Sequence, residues 1–379
     1  MAEAASDITF MRRAIELADA AAGRTAPNPL VGAVVVSDGR IVGEGYHAGP
    51  GQAHAEVVAL RQAGERARGA TLYVTLEPCD HFGRTPPCTG AILEAGVRCV
   101  KAAVGDPDPK VSGRGFARLR QAGVEVEVGV AQDEAAYANR FYLTSRRFGR
   151  PHVLYKYAMT VDGRVATPSG DSRWVSGEEA RAEVHRLRDR LDAVLVGIGT
   201  VLRDDPLLTC RLPAGEGPGR SPLRVVADSH GQTPTSALAL AQGSPGTLVL
   251  VTAACPTERR DALASVGALV QEVASDEAGH CLPTAILDAL HRRGCLGVLL
   301  EGGPRLAASL WAADLIDEIA CAWAPKIVGS QAPGPFGPGL APGRMADAAG
   351  LRDVRIRPLG SDLWLQALVG RDSARCLQD

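Results

Sequence analysis

Residues 71–79 read Thr71-Leu72-Tyr73-Val74-Thr75-Leu76-Glu77-Pro78-Cys79, a short apolar run that stops at a proline. A run of this length and composition predicts a buried strand over Thr71–Leu76, and Pro78 ends it, so Cys79 is delivered at the strand's exit. Working outward, the pattern predicts a helix from about His54 to Gly64 and another from about Pro86 to Gly96. A strand Cys99–Val104, a helix Gly113–Gly123 and a strand Val124–Gly129 follow. Such alternation specifies an α/β sheet layered with helices. Nearer the start, Asp7 is placed to cap a helix carrying Phe10, Met11, Ile15 and Leu17 on one face and stopping at Gly23. The strands Leu30–Val36 and Ile41–Tyr46 flank Asp38-Gly39, a dipeptide that supplies the positive φ angles of a tight hairpin.

A helix over about 133–146 leads to Gly149-Arg150-Pro151 and a new strand, Val153–Ala158. The domain boundary is placed there, giving domains 1–148 and 149–379. The second half repeats the α/β rhythm. Ser176 and Glu179 have the spacing of a capping box ahead of a helix. Strands are expected at Ala193–Val196, Leu223–Ala227, Leu248–Thr252 and Val298–Leu300. The turn Glu301-Gly302-Gly303-Pro304 then opens a helix through Leu310, and 330–342, dense in Gly and Pro, reads as loop.

The 379 residues are 46% apolar and 22% charged, a balance that buries cores and is not that of a disordered chain. Formal charge is −2 without any basic run, which argues against nucleic acid and membrane surfaces as partners. Nine cysteines, an odd number, with no signal peptide or apolar span, point to a reducing cytoplasm. Association into a homo-oligomer is left open by the sequence.

His54, Cys79 and Cys88 supply one imidazole and two thiolates. That set suits Zn²⁺ with the fourth tetrahedral position left to water, the arrangement of a catalytic site. Thr85-Pro86-Pro87 opens a helix at Cys88, and a helix N-terminus favours thiolate. Glu56, two residues from His54, is placed to shuttle a proton between water, ring nitrogen and leaving amine. His-x-Glu followed by Pro-Cys is the signature of zinc nucleobase deaminases. Eight residues separate Cys79 from Cys88, where two are usual, and Arg84 in this insert is suited to an anionic group. A structural zinc with His81 as fourth ligand is the alternative.

Thr25-Ala26-Pro27-Asn28-Pro29-Leu30-Val31-Gly32, His47, His54-Ala55-Glu56 and Glu77-Pro78-Cys79 through Pro87-Cys88 resemble the deaminase half of the bifunctional riboflavin-biosynthesis deaminase/reductases. Lys156 through Arg164, Gly170-Asp171-Ser172-Arg173-Trp174, Val196 through Thr200, Asp204-Asp205-Pro206 and Glu301 through Pro304 resemble the reductase half. The resemblance implies a cytidine-deaminase-like three-layer α/β/α domain and a dihydrofolate-reductase-like α/β domain. It also implies deamination of 2,5-diamino-6-(phosphoribosylamino)pyrimidin-4-one, then NADPH reduction of the resulting aminouracil's ribose.

The resemblance carries site residues with it. Asn28, His47 and Arg84 contact the deaminase substrate, with Arg84 where the family has Lys and Asp80 where it has Ser. Ala158, Trp174, Thr200, Asp204, Ser229 and the run Gly303, Pro304, Arg305, Leu306, Ala307, Ala308 and Ser309 contact the dinucleotide. Ser172, Arg188, Leu208, Arg211 and Glu301 contact the reductase substrate, Arg188 and Arg211 being suited to clamp its phosphate. Lys156, on a strand beside that site, is placed to orient or protonate the opening ribose. The alternative reading is a zinc deaminase whose second domain is noncatalytic.

Overall fold

The computed structural model describes residues 2–83, with side chains from Ser6 onward, and residues 86–241, 243, 245–337 and 341–370. The chain forms two units, Met1–Gly149 and Arg150–Asp379.

In the first unit, α1 (Ala2–Asp19) starts ahead of Asp7, so Asp7 is not its cap. Its carboxylate instead accepts hydrogen bonds from Tyr73 Oη and Lys101 Nζ, both at 2.5 Å. The buried face of α1 is Met11, Ala14 and Ala18, while Phe10, Ile15 and Leu17 are only half-buried. Close approach explains this choice of small residues. A Cβ at Gly32, in β1 (Gly32–Ser37), would stand 1.9 Å from the Ala14 carbonyl oxygen.

β1 and β2 (Arg40–Tyr46) form the expected hairpin, with Asp38 and Gly39 at φ +50° and +71°. α2 (Ala55–Ala63) lies flush on β2, because a Cβ at Gly43 or Gly45 would come within 2.2 Å or 2.5 Å of α2 carbonyl oxygens. Then come β3 (Thr71–Leu76), α3 (Cys88–Glu94), β4 (Cys99–Val104), α4 (Arg114–Gln121) and β5 (Glu125–Val128). The sheet order is β2-β1-β3-β4-β5, antiparallel up to β3 and parallel beyond it. Val35, Leu72, Val74, Val100 and Ala102 face Ala59, Ile92 and Leu119 in the core. The single helix expected over 133–146 is two, α5 (Gln132–Ala138) and α6 (Arg140–Phe148). They break at Asn139, whose Oδ1 accepts the Leu30 N–H at 3.1 Å, a tertiary bond that competes with the helix.

The second unit runs β6 (His152–Thr160), α7 (Glu178–Arg190), β7 (Ala193–Gly197), α8 (Ile198–Asp204), β8 (Leu223–Ala227), β9 (Thr247–Val251), α9 (Thr257–Ser265) and β10 (Leu269–Glu272). It continues through α10 (Pro283–His291), β11 (Gly297–Leu300), α11 (Pro304–Ala312), β12 (Glu318–Ala324), β13 (Leu351–Leu359) and β14 (Asp362–Val369). These strands form one nine-stranded sheet in the order β10-β9-β8-β7-β11-β6-β12-β14-β13. Pairing is parallel from β10 to β12 and antiparallel at the final hairpin. Alternate residues feed two cores. Leu195, Leu250, Val298 and Leu300 pack with Ile286, Leu290 and Leu310, while Val194, Val196 and Val249 pack with Val201 and Leu263.

The capping box at Ser176 does not form. Gly177 is the N-cap of α7, and its N–H donates to Asp362 Oδ2 at 2.6 Å, so a carboxylate from β14 takes the N-cap amide that Glu179 would take in a capping box.

Candidate active sites

In the first unit His54 is the N-cap of α2 and Cys88 the first residue of α3, while Cys79 leaves β3 through Pro78. His54 Nδ1 lies 3.0 Å from Cys88 Sγ and 3.6 Å from Cys79 Sγ, and the Cys88 N–H donates to Cys79 Sγ at 3.4 Å. The three donor atoms all fall within 4.8 Å of one another. Among the described residues no fourth histidine, cysteine or carboxylate joins them, and His81 is exposed on the insert. The donor set therefore fits a zinc ion with an open position. The Cys79 thiol is pushed well below the ordinary thiol range by hydrogen bonds from Cys88 and His54, with burial opposing.

Glu56, in the first turn of α2, is buried. Burial lifts its carboxyl to about 7; the Cys79 charge adds to the rise and His54 opposes it. A carboxyl near neutrality both takes and returns protons. His47 stands beside the cluster, its ring edge-on to His54 at 5.4 Å between centroids. Burial pushes its pKa below the ordinary imidazole value, with the Ala53 carbonyl opposing. Its Nδ1 is 3.2 Å from the Ala53 carbonyl oxygen, so Nδ1 carries the hydrogen and Nε2 accepts from Asn28 Nδ2 at 3.0 Å. Arg84 lies outside the described residues. Asp80 accepts the Thr89 hydroxyl at 2.5 Å and pairs with Arg118 on α4 at 3.3 Å, which gives the acidic residue at this position a physical reason.

In the second unit the expected residues gather at the C-terminal edge of the parallel strands, where α/β sheets place ligands. β7 and β11 are neighbours, and each runs into a helix through glycine, Gly197 before α8 and Gly303 before α11. A Cβ at Gly303 would stand 3.9 Å from Thr200 Oγ1, so the two helix starts face one another. Ala158 and Lys156 come from β6, next in the sheet. Ser229 follows β8, where its Oγ accepts the Cys281 N–H at 2.9 Å. The exposed Trp174 ring lies under Arg181 at 4.7 Å, and Arg173 donates to the Asp204 carbonyl at 2.8 Å. Ser172, half-buried, accepts the Val175 N–H at 3.1 Å through its carbonyl.

Glu301 takes Arg188 in a two-pronged pair, with both N–H···O distances at 2.7 Å, and Arg188 also donates to the Thr209 carbonyl at 2.9 Å. Two of the five guanidinium N–H groups remain for a ligand. Arg211 is exposed and donates to Thr209 Oγ1 at 2.8 Å. Lys156 has its ammonium held below the ordinary lysine range by burial, against the pull of Glu301.

The side chains of Leu208 and Ala307 are buried in the hydrophobic cores, so any ligand contact there runs through backbone, while Leu306 is half-buried against one of those cores. Arg305 is exposed, and a Cβ at Gly337 would sit 3.5 Å from the Ala308 Cβ, so a loop covers that side of α11.

A family model described as the cytidine and deoxycytidylate deaminase zinc-binding region matches residues 4–104, and one described as the RibD C-terminal domain matches residues 151–365. The chain is 44% identical to the riboflavin biosynthesis protein RibD of Synechocystis, over 95% of both chains. It belongs to the RibD family. Two solved structures agree over 97% of this chain and 100% of theirs. They are Acinetobacter baumannii RibD (form 1), TM-score 0.86 and 37% identity, and the diaminohydroxyphosphoribosylaminopyrimidine deaminase/5-amino-6-(5-phosphoribosylamino)uracil reductase of Thermotoga maritima, TM-score 0.80 and 36% identity. The RibD halves are thus a zinc-binding deaminase fold followed by a reductase fold.

Sequence reading missed several residues that build these RibD sites. Glu77 accepts four backbone N–H groups, His185 accepts the Arg211 N–H at 3.1 Å, and Asp162 ties the Thr160–Arg164 turn to Gly329 at 2.7 Å. Glu77 and Asp162 fall inside the quoted motifs, though no spacing gives their side chains a role, and His185 stands three residues before Arg188 on one helix face.

Proposed function

We propose that this chain carries out two successive steps of riboflavin biosynthesis. Residues 1–148 remove the amine of 2,5-diamino-6-(5-phosphoribosylamino)pyrimidin-4(3H)-one by hydrolysis. Residues 149–379 then reduce the ribose of 5-amino-6-(5-phosphoribosylamino)uracil to the ribityl form. The observation that carries the reading is the meeting of one imidazole nitrogen and two thiols within 4.8 Å beside a buried Glu56.

His54, Cys79 and Cys88 would hold zinc, which when bound would supply the Lewis acidity that water needs to act as a nucleophile at neutral pH. Glu56 takes the two protons of water in turn, passing the first to the ring nitrogen as the carbon–oxygen bond forms and the second to the departing amine as the carbon–nitrogen bond breaks, so that water enters and ammonia leaves. Asn28 and neutral His47 orient the pyrimidine, and Arg84 meets its phosphate.

In the second unit NADPH supplies the hydride that goes to ribose C1′. Ala158, Trp174, Thr200, Asp204, Ser229 and the start of α11, from Gly303 to Ser309, hold the dinucleotide, with helix N-termini favouring its phosphates. Lys156 delivers the proton to the ring oxygen as the C1′–oxygen bond breaks. Ser172, Arg188, Arg211, the Leu208 backbone and Glu301 bind the phosphoribosyl chain. Among the described residues no helix is long and apolar enough to cross a membrane, and the eight described cysteines are free. Both fit a reducing cytoplasm and free small-molecule substrates.

Incubation with the diaminopyrimidine and NADPH tests the whole. Ammonia release with matched NADPH loss is expected. Ammonia without NADPH loss would leave the second domain noncatalytic.

A further inference from the structure

We infer that Glu77 and Asp80 are positioning residues that fix the Cys79 ligand by locking helix α4 on either side of it; the inference rests on the zinc-site reading above. Glu77 is 5% exposed and sits at the exit of β3, two residues before Cys79. One carboxylate oxygen accepts the N–H groups of Gly113 at 3.0 Å and Asp106 at 3.3 Å; the other accepts those of Gly115 at 3.0 Å and Phe116 at 3.4 Å. The N-cap of α4 is Gly113, which has no side chain to cap with, so Glu77 supplies the cap from another element.

That cap sets the height of α4 against the metal loop. A Cβ on Gly115 would stand 1.9 Å from the Pro78 carbonyl oxygen, so the first turn of α4 touches the peptide that leads into Cys79. One turn further on, Arg118 reaches the residue after Cys79, pairing with Asp80, which also holds Thr89 at the start of α3. The strand exit, α3 and α4 are thereby joined around one sulfur. An amide at position 77 keeps one acceptor oxygen and presents an NH₂ to donors that need an acceptor. Outer partners of metal ligands act on affinity in this way, by about 10–100-fold.

The test uses the full chain loaded with zinc and reads metal retention against a chromogenic chelator, with cobalt substitution reporting thiolate-to-metal absorption. Glu77→Gln is expected to release zinc about 10–100-fold faster and to alter the cobalt spectrum, while NADPH oxidation of the aminouracil by the second unit stays at the parent rate. Gly115→Ala, which leaves Glu77 intact and displaces Pro78, is expected to act in the same direction. Asp80→Ala, a half-buried site suited to a folded variant if Glu77→Gln fails to fold, is expected to lose zinc a few-fold faster. Folded Glu77→Gln or, failing that, Asp80→Ala with parent zinc retention and parent cobalt absorption overturns the inference. Failure of the parent to bind zinc, or full zinc retention in Cys79→Ser, overturns the zinc reading instead, so the two failures are told apart.

Discussion

The two units build their sites by opposite means. In the first, the metal donors and Glu56 lie between residues 54 and 88, and each is placed by a helix start or a strand exit. In the second, Lys156, Arg188, Glu301 and Asp362 come from β6, α7, the exit of β11 and β14, and they lean on one another. The deaminase half thus keeps three soft donors unneutralised for a cation. The reductase half keeps a charge cluster that is internally balanced before an anionic ligand arrives. Local geometry makes the first site; mutual electrostatics makes the second.

The largest expected effect separates the two. Glu56→Gln keeps volume and removes the base, so ammonia release should fall by about 10²–10⁴-fold while zinc content and NADPH oxidation of supplied aminouracil stay at parent levels. Loss of both activities in folded protein would mean that the halves do not work independently. Next comes Glu301→Ala, which leaves the Arg188 charge buried without its carboxylate. Breaking a buried pair costs about 3–5 kcal/mol, so the second unit should unfold at markedly lower denaturant while ammonia release is unchanged below that point. An unaltered midpoint would show the pair to be solvent-screened. Lys156→Ala is smaller, on the order of 10² in NADPH oxidation with ammonia release intact, so the aminouracil accumulates. A modest, equal loss of both activities would reduce Lys156 to a packing residue of β6.

The same contrast governs what was legible in the sequence. The strands Thr71–Leu76, Cys99–Val104 and Leu223–Ala227 match the expected bounds, because each is a mostly apolar run, broken only by Lys101 or Arg224 in the last two, between turn signals. The metal site was legible because its spacing is local. Asp7 and Ser176 misled because a capping residue looks the same whether its oxygen meets its own helix or, as with Asp7, a tyrosine and a lysine from the sheet. β13 was missed because its alternation, Val354-Arg355-Ile356-Arg357, is only four residues long between Asp353 and Pro358, and its residues Leu351–Arg357 are exposed. The Arg188–Glu301 pair joins residues 113 apart, and no pattern in the chain says that they meet before any ligand does.

The smallest effect concerns pH, and the units should lean in opposite directions. In the first, burial lifts the Asp106 carboxyl to about 6 although it accepts the Tyr142 hydroxyl. A raised carboxyl means the folded form binds the extra proton, so this contribution to stability declines as pH rises from about 4 to about 6. In the second, burial and then the charges of Arg188 and Arg211 lower His185 to about 4, with Glu301 opposing. Its Nδ1 is occupied by the Arg211 N–H, so the neutral form is the one the fold uses. Here the unfolded chain binds the extra proton, and stability is lost as pH falls from about 6.5 to about 4. His185 is only partly buried, and solvent screening cuts the effect to roughly 1 kcal/mol. For a unit of this size that is a shift of about 2–4 °C in Tm. His185→Gln retains an acceptor for the Arg211 N–H and does not titrate, so the NADPH-shifted melting transition should lose its slope between pH 4.5 and 6.5 while the zinc-dependent transition keeps its own. A variant that melts with the parent's full pH slope would show that the charge balance of the second unit is set elsewhere than at His185.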